Sequence, residues 1–128
     1  MARKHLKQMN KEEIAFVHGF VRANAHRIWT GTGHFYDRAS DRKVSIEEVQ
    51  IAAKIGRVIE LHDERKPDIR VMVRSKAGIC AVISLLTWEA ITCYYNAADD
   101  EHDTLNWNLY RASATLDVVK IIKSLRRK

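Results

Sequence analysis

The spacing of apolar residues along the chain changes from a helical period to alternation and then back to a helical period. The first apolar positions lie three or four residues apart, at Ile14, Val17, Val21, Ala25 and Ile28. This spacing predicts a helix from Lys11 to about Trp29, and Asn10 with Glu13 forms a capping-box pattern at its start. Residues 1–9 have few apolar anchors and are expected to fray.

Two shorter helices are predicted after the glycines at 31 and 33. Residues His34 to Arg42 form the first of them, with His34 and Arg38 four apart on one face. Residues Ser45 to Ile55 form the next helix, because Ser45-Ile-Glu-Glu48 is a second capping-box pattern. Gly56 stands where a helix typically ends, and Gly19, inside the first helix, is a candidate for close packing.

The middle of the chain predicts strands. Apolar and polar residues alternate from Arg57 to His62 and again from Ile69 to Arg74, which puts Arg70, Met72 and Arg74 on one face. The run from Ile79 to Leu86 is apolar on both faces, as in a central strand that is covered on both sides. A last strand, Ala90 to Tyr95, completes an antiparallel meander.

The last third of the chain predicts a loop and a helix. Asn96 to Tyr110 is acidic and aromatic without clear periodicity, and Ala112 to Leu125 returns to helical spacing with basic residues toward its end. Residues 1–128 are therefore predicted to form a single α+β domain. Its N-terminal helices pack on a three- or four-stranded antiparallel sheet, and a C-terminal helix completes it.

Composition narrows the class of protein. With 46% hydrophobic and 30% charged residues the chain is globular, and its formal net charge is +6. Residues 1–43 carry nine Lys/Arg against four Asp/Glu, so most of the excess lies on the N-terminal helices, which permits nucleic-acid binding but does not require it. No stretch resembles a signal peptide or a membrane span, so a soluble, cytoplasmic protein without a membrane partner is expected.

Four side chains are candidates for chemistry on RNA. A histidine moves protons near neutral pH, and arginines stabilise charge that develops on a phosphate, so His34 with Arg38, Arg70 and Arg74 suits metal-free cleavage. The alternative is that these side chains are solvated or paired with acids. Cys80 and Cys93 lie inside predicted strands and are interpreted as free buried thiols. No cofactor is predicted.

Other residues are candidates for binding a partner. His18, Arg22 and His26 stand four apart on the first helix and either cross RNA phosphates or border its buried face. Asp99 to Asp103, with His102, is either a solvated acidic loop or a weak candidate for a metal site. Trp107 and Tyr110 follow, and such aromatics either bind a partner or pin a loop to its own sheet.

Three motifs together resemble a known family. They are His34-Phe-Tyr-Asp-Arg38 leading into Ser45-Ile-Glu-Glu48, then Gly56-Arg-Val-Ile-Glu60, and finally Ile91-Thr-Cys-Tyr94. This pattern is similar to an uncharacterised branch of the RelE/ParE-like toxin superfamily, which is related in fold to barnase-like and colicin-type ribonucleases. The resemblance covers residues 34–95, with residues 1–33 as a helical extension and residues 96–128 as the loop and last helix.

The resemblance implies a RelE-like fold with His34 and Arg38 at the site, and with Arg70 or Arg74 as support. It implies a toxin-type, metal-independent endoribonuclease or an RNA-binding protein. Because ParE-like members act on gyrase, the alternative is a non-enzymatic phage or plasmid protein that binds and inhibits a host protein. Whether the chain is an enzyme stays open.

Overall fold

The computed structural model describes residues 2–31, 34–37, 42–64, 68–95 and 116–126, and at 34–37, 42 and 64 it describes the backbone alone. The strands are β1 (Ala2–His5), β2 (His34–Asp37), β3 (Arg42–Ser45), β4 (Arg57–Glu64), β5 (Asp68–Arg74), β6 (Ile79–Ser84) and β7 (Ala90–Tyr95). The α-helices are α1 (Lys11–Asn24), α2 (Ile46–Ile55) and α3 (Val118–Arg126). The predicted α+β class with a C-terminal helix is confirmed.

Five strands form one antiparallel sheet in the order β1-β4-β5-β6-β7. The predicted meander of three or four strands lacked β1, because residues 1–9 were expected to fray. Instead Ala2 to His5 pair with Asp63 to Glu60 of β4. Pairing through the backbone needs no long apolar run, and Ala2 adds a contact with the core.

The predicted helix from His34 to Arg42 is wrong over the part that the structure describes. His34 to Asp37 is strand β2 and pairs with β3 in a separate two-stranded hairpin, which lies against β7. The aromatic residues Phe35 and Tyr36 favour a strand, and this preference outweighs the helical spacing of His34 and Arg38.

The N-terminal capping box of α1 is confirmed. Asn10 Oδ1 accepts from the Glu13 N–H at 2.8 Å, and Glu13 Oε1 accepts from the Asn10 N–H at 3.1 Å. The helix ends at Asn24 and not at Trp29. Asn24 Nδ2 donates to the Phe20 carbonyl at 2.8 Å, a local bond that competes with the helical ladder, and a 3-10 turn follows at Ala25–Arg27.

Helix α2 begins and ends close to the predicted residues. Ser45 Oγ accepts from the Glu48 N–H at 3.2 Å. Gly56 ends the helix with φ −82°, so it does not use the left-handed conformation. Its glycine is needed for space, because a Cβ there would overlap the carbonyl oxygens of Ala52 and Arg74. At Gly19 a Cβ would meet nothing within 4 Å, so the prediction of close packing at that position is wrong.

The core lies between one face of the sheet and the three helices. The strands contribute buried side chains, chiefly Val58, Leu61, Val71, Val73, Ala81 and Ile83. They alternate along β5 and β6, whereas a register shift between Val58 and Glu60 interrupts the alternation in β4. The helices contribute Val17, Val21, Val49, Ala52, Val118 and Ile122. Each fully buried Val, Leu or Ile contributes roughly 1.5–3 kcal/mol relative to exposure, so this layer holds the helices against the sheet.

A side-chain oxygen that accepts backbone hydrogen bonds stabilises the turn after β6. Ser84 Oγ accepts from the N–H groups of Leu86 and Thr87, both at 3.2 Å, so the strand ends at Ser84 and not at Leu86. Trp88 then adopts φ 63°, which is strained for a bulky residue and is maintained by burial of its indole. In the turn before β6, Gly78 has φ 88° and its N–H donates to the Ser75 carbonyl at 3.0 Å.

Some predicted features lie outside the described residues. These include the loop from Asn96 to Tyr110 and residues 112–115 of the predicted last helix. Leu116 and Asp117 are described and are not helical, so this helix begins later than predicted, at Val118, where Asp117 Oδ1 accepts from the Lys120 N–H at 3.1 Å. Cys80 and Cys93 are buried thiols, as predicted. Within the described ranges, no helix is both long enough and apolar enough to cross a bilayer.

Candidate functional site on the polar face of the sheet

The sheet face that points away from the helices is polar and carries most of the residues that could do chemistry. Strand register arranges them in rows. Arg3, His62, Arg70 and Ser84 stand opposite one another in the first row. The next row contains His5, Glu60 and Met72, and a third contains Arg74, Cys80 and Tyr94. We call this set the polar face.

The Glu60–His62 pair lies on β4, between β1 and β5. The two residues are two apart in β4 and therefore point to the same side, with His62 Nε2 3.2 Å from Glu60 Oε1. Both are buried, at 5% and 6% exposure. The contact is within ion-pairing distance but does not have the geometry of a hydrogen bond, so it places side by side two kinds of group that general acid–base catalysis uses.

Arg70 stands beside His62 in the register, near the rim of the face. Its Nε donates to Asp68 Oδ2 at 2.7 Å, and the other oxygen of that carboxylate accepts from Ser84 Oγ at 2.7 Å. About a third of the Arg70 side chain is exposed. The predicted phosphate ligand is thus held in a charge-assisted hydrogen bond and still reaches solvent.

Arg74 lies on the same face of β5, as the alternation predicted, but in a different environment. It is 6% exposed and stands opposite Cys80, which in turn stands opposite Tyr94. The Tyr94 hydroxyl donates to Met72 Sδ at 2.8 Å. Four residues of strand separate the Cα atoms of Arg70 and Arg74 by roughly 13 Å. Arg70 is therefore in the row of His62, whereas Arg74 is in the row of Arg57, beyond the row of Glu60.

The two residues predicted to lead the site are only partly described. The backbone of His34 lies in β2, while its side chain and all of Arg38 fall outside the description. His102, Trp107, Tyr110 and the acidic stretch from Asp99 to Asp103 also lie outside it. Their roles stay predictions.

The three residues predicted to lie along one side of the first helix, His18, Arg22 and His26, are in two different environments. Arg22 and His26 are exposed, so they remain available to a partner. His18 is half-buried, with Nδ1 2.9 Å from the Ile14 carbonyl, and its Nε2 accepts from the Val58 N–H at 3.1 Å. Burial lowers the pKa of His18 below its ordinary value, and the positive charges of Arg22 and Arg57 lower it further. His18 therefore ties α1 to β4.

Glu60, His62, Arg3 and His5 were not among the candidates from the sequence. The alternation in Arg57 to His62 carried a signal for the first two, since it places Glu60 and His62 on one face. Arg3 and His5 join that face only because β1 pairs with β4, a contact about sixty residues apart in sequence. Within the described residues, no three His, Cys, Asp or Glu side chains are grouped to hold a metal ion.

Comparison with known proteins adds no relative to this picture. No protein-family model, no curated protein and no solved structure matches the chain. The resemblance to the RelE/ParE-like superfamily therefore stays a prediction.

Proposed function

We propose that the protein binds RNA at the polar face and cleaves it without a metal ion. The single observation that carries this proposal is the Glu60–His62 pair, with 3.2 Å between Oε1 and Nε2, in which His62 stands in register with Arg3 and Arg70. A proton-transfer pair between cations is what cleavage of a phosphodiester by its own 2′-hydroxyl needs.

In this reaction the 2′-oxygen attacks the adjacent phosphorus and the bond to the 5′-oxygen breaks. One member of the Glu60–His62 pair takes the proton from the 2′-hydroxyl, and the other supplies a proton to the leaving 5′-oxygen. The products are a 2′,3′-cyclic phosphate and a 5′-hydroxyl. Arg70 offers the exposed cation that first binds the phosphate, and Arg3 adds positive charge across the register.

Burial of the Glu60–His62 pair sets a condition on this reaction. Because both side chains are less than a tenth exposed, RNA reaches them only when the groups that bury them move. Binding at Arg70 therefore precedes cleavage, and we expect the cleavage step to be slower than binding.

The test is cleavage of a labelled RNA in excess chelator by the full chain and by matched variants. We expect His62→Gln and Glu60→Gln each to lower the rate at least about 10²-fold, a typical contribution of a positioned acid or base. Glu47→Gln, on the exposed side of α2, should cleave like the wild type. His34→Ala tests the acid/base residue that the sequence predicted.

Two results would end the catalytic proposal: a wild type that leaves RNA intact, or a folded His62→Gln variant that cleaves at the wild-type rate. Binding is measured separately. Arg70→Gln should weaken RNA binding and reduce the salt dependence by about one phosphate contact. RNA binding that is absent, or that does not change with salt, would remove the broader proposal as well.

A second candidate function is protein binding without catalysis. Three large apolar side chains are exposed on the helical side: Ile51 at 52% and Ile55 at 71%, four apart on α2, and Trp29 at 48%. Apolar side chains that share an exposed helix face suit a protein partner. If wild type captures one stoichiometric host protein and a folded Ile51→Ser, Ile55→Ser variant does not, this candidate replaces the first.

A further inference from the structure

A groove of about 310 Å³ lies between α1, α3 and the turn that follows β6. Its apolar wall contains Phe20, Trp88 and Leu125, and its polar groups include Asn24, Arg27 and Arg126. The volume is at the lower end of small-molecule sites, so the groove has room for one compact ligand. It lies on the helical side of the molecule, away from the polar face.

Arg27 is held in position at one end of this groove. Its guanidinium carbon is 5.7 Å from the centroid of the Trp88 ring, and its Nη1 donates to Asn24 Oδ1 at 3.3 Å. Asn24 is itself fixed by a 2.8 Å bond to the Phe20 carbonyl. A cation that is oriented before binding loses less side-chain entropy when an anion arrives.

Among the described residues, the groove has positive charge without a balancing carboxylate. Arg27 and Arg126 both line it, none of its described lining residues is acidic, and neither arginine is paired with a carboxylate of the described chain. The groove on the other side of α3 differs, because there Asp63 and Asp68 accompany Lys120. Two like charges that share a groove repel each other, and an anionic ligand offsets that repulsion.

The aromatic residues define the rest of the ligand. The Phe20 and Trp88 rings lie 5.5 Å apart and are tilted by 50°, and Phe20 is the more exposed of the two. Aromatic side chains beside arginines are what proteins use to stack a nucleobase and hold its phosphate. Arginine also matches phosphate geometry with two parallel hydrogen bonds.

We propose that this groove binds a nucleotide, with the phosphate between Arg27 and Arg126 and the base against Phe20. The same chemistry is offered by a free nucleotide and by one nucleotide of an RNA strand. The proposal is independent of cleavage at the polar face, because no residue is shared between the two sites.

The test is calorimetric titration of the full chain with adenosine 5′-monophosphate. We expect Arg126→Gln to weaken binding at least tenfold. Lys120→Gln removes an equal charge from an exposed position of the same helix, outside this groove, and should change the affinity less than twofold. Adenosine alone and inorganic phosphate alone should each bind at least tenfold more weakly than the nucleotide, since each makes only half of the contacts.

A second titration separates the two sources of nucleotide. It uses a short 2′-O-methyl oligonucleotide, which lacks the 2′-hydroxyl needed for cleavage. If the oligonucleotide binds more tightly than the mononucleotide and Arg126→Gln weakens it, the groove takes a nucleotide of a strand; the opposite order indicates a free nucleotide. Absence of binding by both ligands, or equal losses in Arg126→Gln and Lys120→Gln, would overturn the site. Glu47→Gln, which lies outside both sites, should bind as the wild type does.

Discussion

At the scale of single residues, His18 shows how a polar side chain becomes structural. Its Nε2 accepts from the Val58 N–H, so that nitrogen carries no proton, and Nδ1 therefore donates to the Ile14 carbonyl. An imidazolium cannot accept a hydrogen bond. Protonation of His18 thus breaks the bond between α1 and the start of β4.

This arrangement predicts a dependence of stability on pH. Burial lowers the pKa of folded His18 below 6.5, so between the two pKa values the unfolded chain binds more protons than the folded chain. The stabilisation is complete above about pH 6.5 and is lost as pH falls toward the lowered value. The loss is below the limit of about 1.4 kcal/mol per pH unit for one proton, because a half-buried ring is partly screened.

The measurement is urea unfolding at pH 7.5 and pH 5.5. His18→Gln should lose the part of the pH dependence that belongs to this ring, and His26→Gln, at an exposed position, should keep it. If His18→Gln and wild type change equally between the two pH values, His18 does not titrate in the expected way.

At the scale of elements, two glycines have opposite roles. Gly19 lies inside α1 with open space where a Cβ would stand, whereas Gly56 joins α2 to β4 against the carbonyl groups of Ala52 and Arg74. Neither needs a left-handed backbone, since Gly78 has the positive φ among the described glycines. The two positions therefore differ in whether a Cβ atom has room.

Alanine at each position should therefore change stability in opposite directions. Gly19→Ala should raise the free energy of unfolding by about 0.5–1 kcal/mol, because alanine loses less entropy in a helix. Gly56→Ala should lower it by at least about 2 kcal/mol, since two backbone carbonyls have to move. Chemical denaturation of both variants checks this, and a neutral Gly56→Ala would contradict the overlap.

Some of these elements could be predicted from the sequence and others could not. The strands from Arg57 to Tyr95 and both helix starts were predictable, since alternation and caps are local signals. Strand β1 could not be predicted, because it is ordered by pairing with β4. Strand β2 was predicted as a helix from the spacing of His34 and Arg38, but its aromatic residues favour the strand that is observed. The Glu60–His62 pair could be read from alternation, but its place beside Arg3 required the register.

At the scale of the whole molecule, Glu13 connects distant parts of the chain. Its carboxylate accepts from Lys4 Nζ at 2.8 and 3.0 Å, from the Asn10 N–H at 3.1 Å and from the Val118 N–H at 3.1 Å. Lys4 Nζ also donates to the Leu116 carbonyl at 3.0 Å. Burial tends to raise the pKa of Glu13, but these hydrogen bonds outweigh it and lower the pKa. One carboxylate thus joins β1, α1 and α3.

Removing the charge of Glu13 should lower the free energy of unfolding by more than the loss of a helix cap alone would. Glu13→Gln keeps the shape but leaves the Lys4 ammonium partly buried without its carboxylate, so we expect a loss of about 2–4 kcal/mol in the free energy of unfolding. Glu12→Gln, at the exposed neighbouring position, should change it by less than about 0.5 kcal/mol. Equal small losses in both variants, measured by urea unfolding, would show that Glu13 acts only as a cap.

The reach of Glu13 also has a consequence for how the protein is made. Val118 follows Glu13 by 105 residues, so a ribosome that adds about 5–20 residues per second synthesises the second partner roughly 5–20 s after the first. During that interval the nascent chain can form its first helix, but the carboxylate has no Val118 N–H to accept from. The junction closes only when α3 has emerged, and until then the incomplete chain exposes apolar surface to chaperones and proteases.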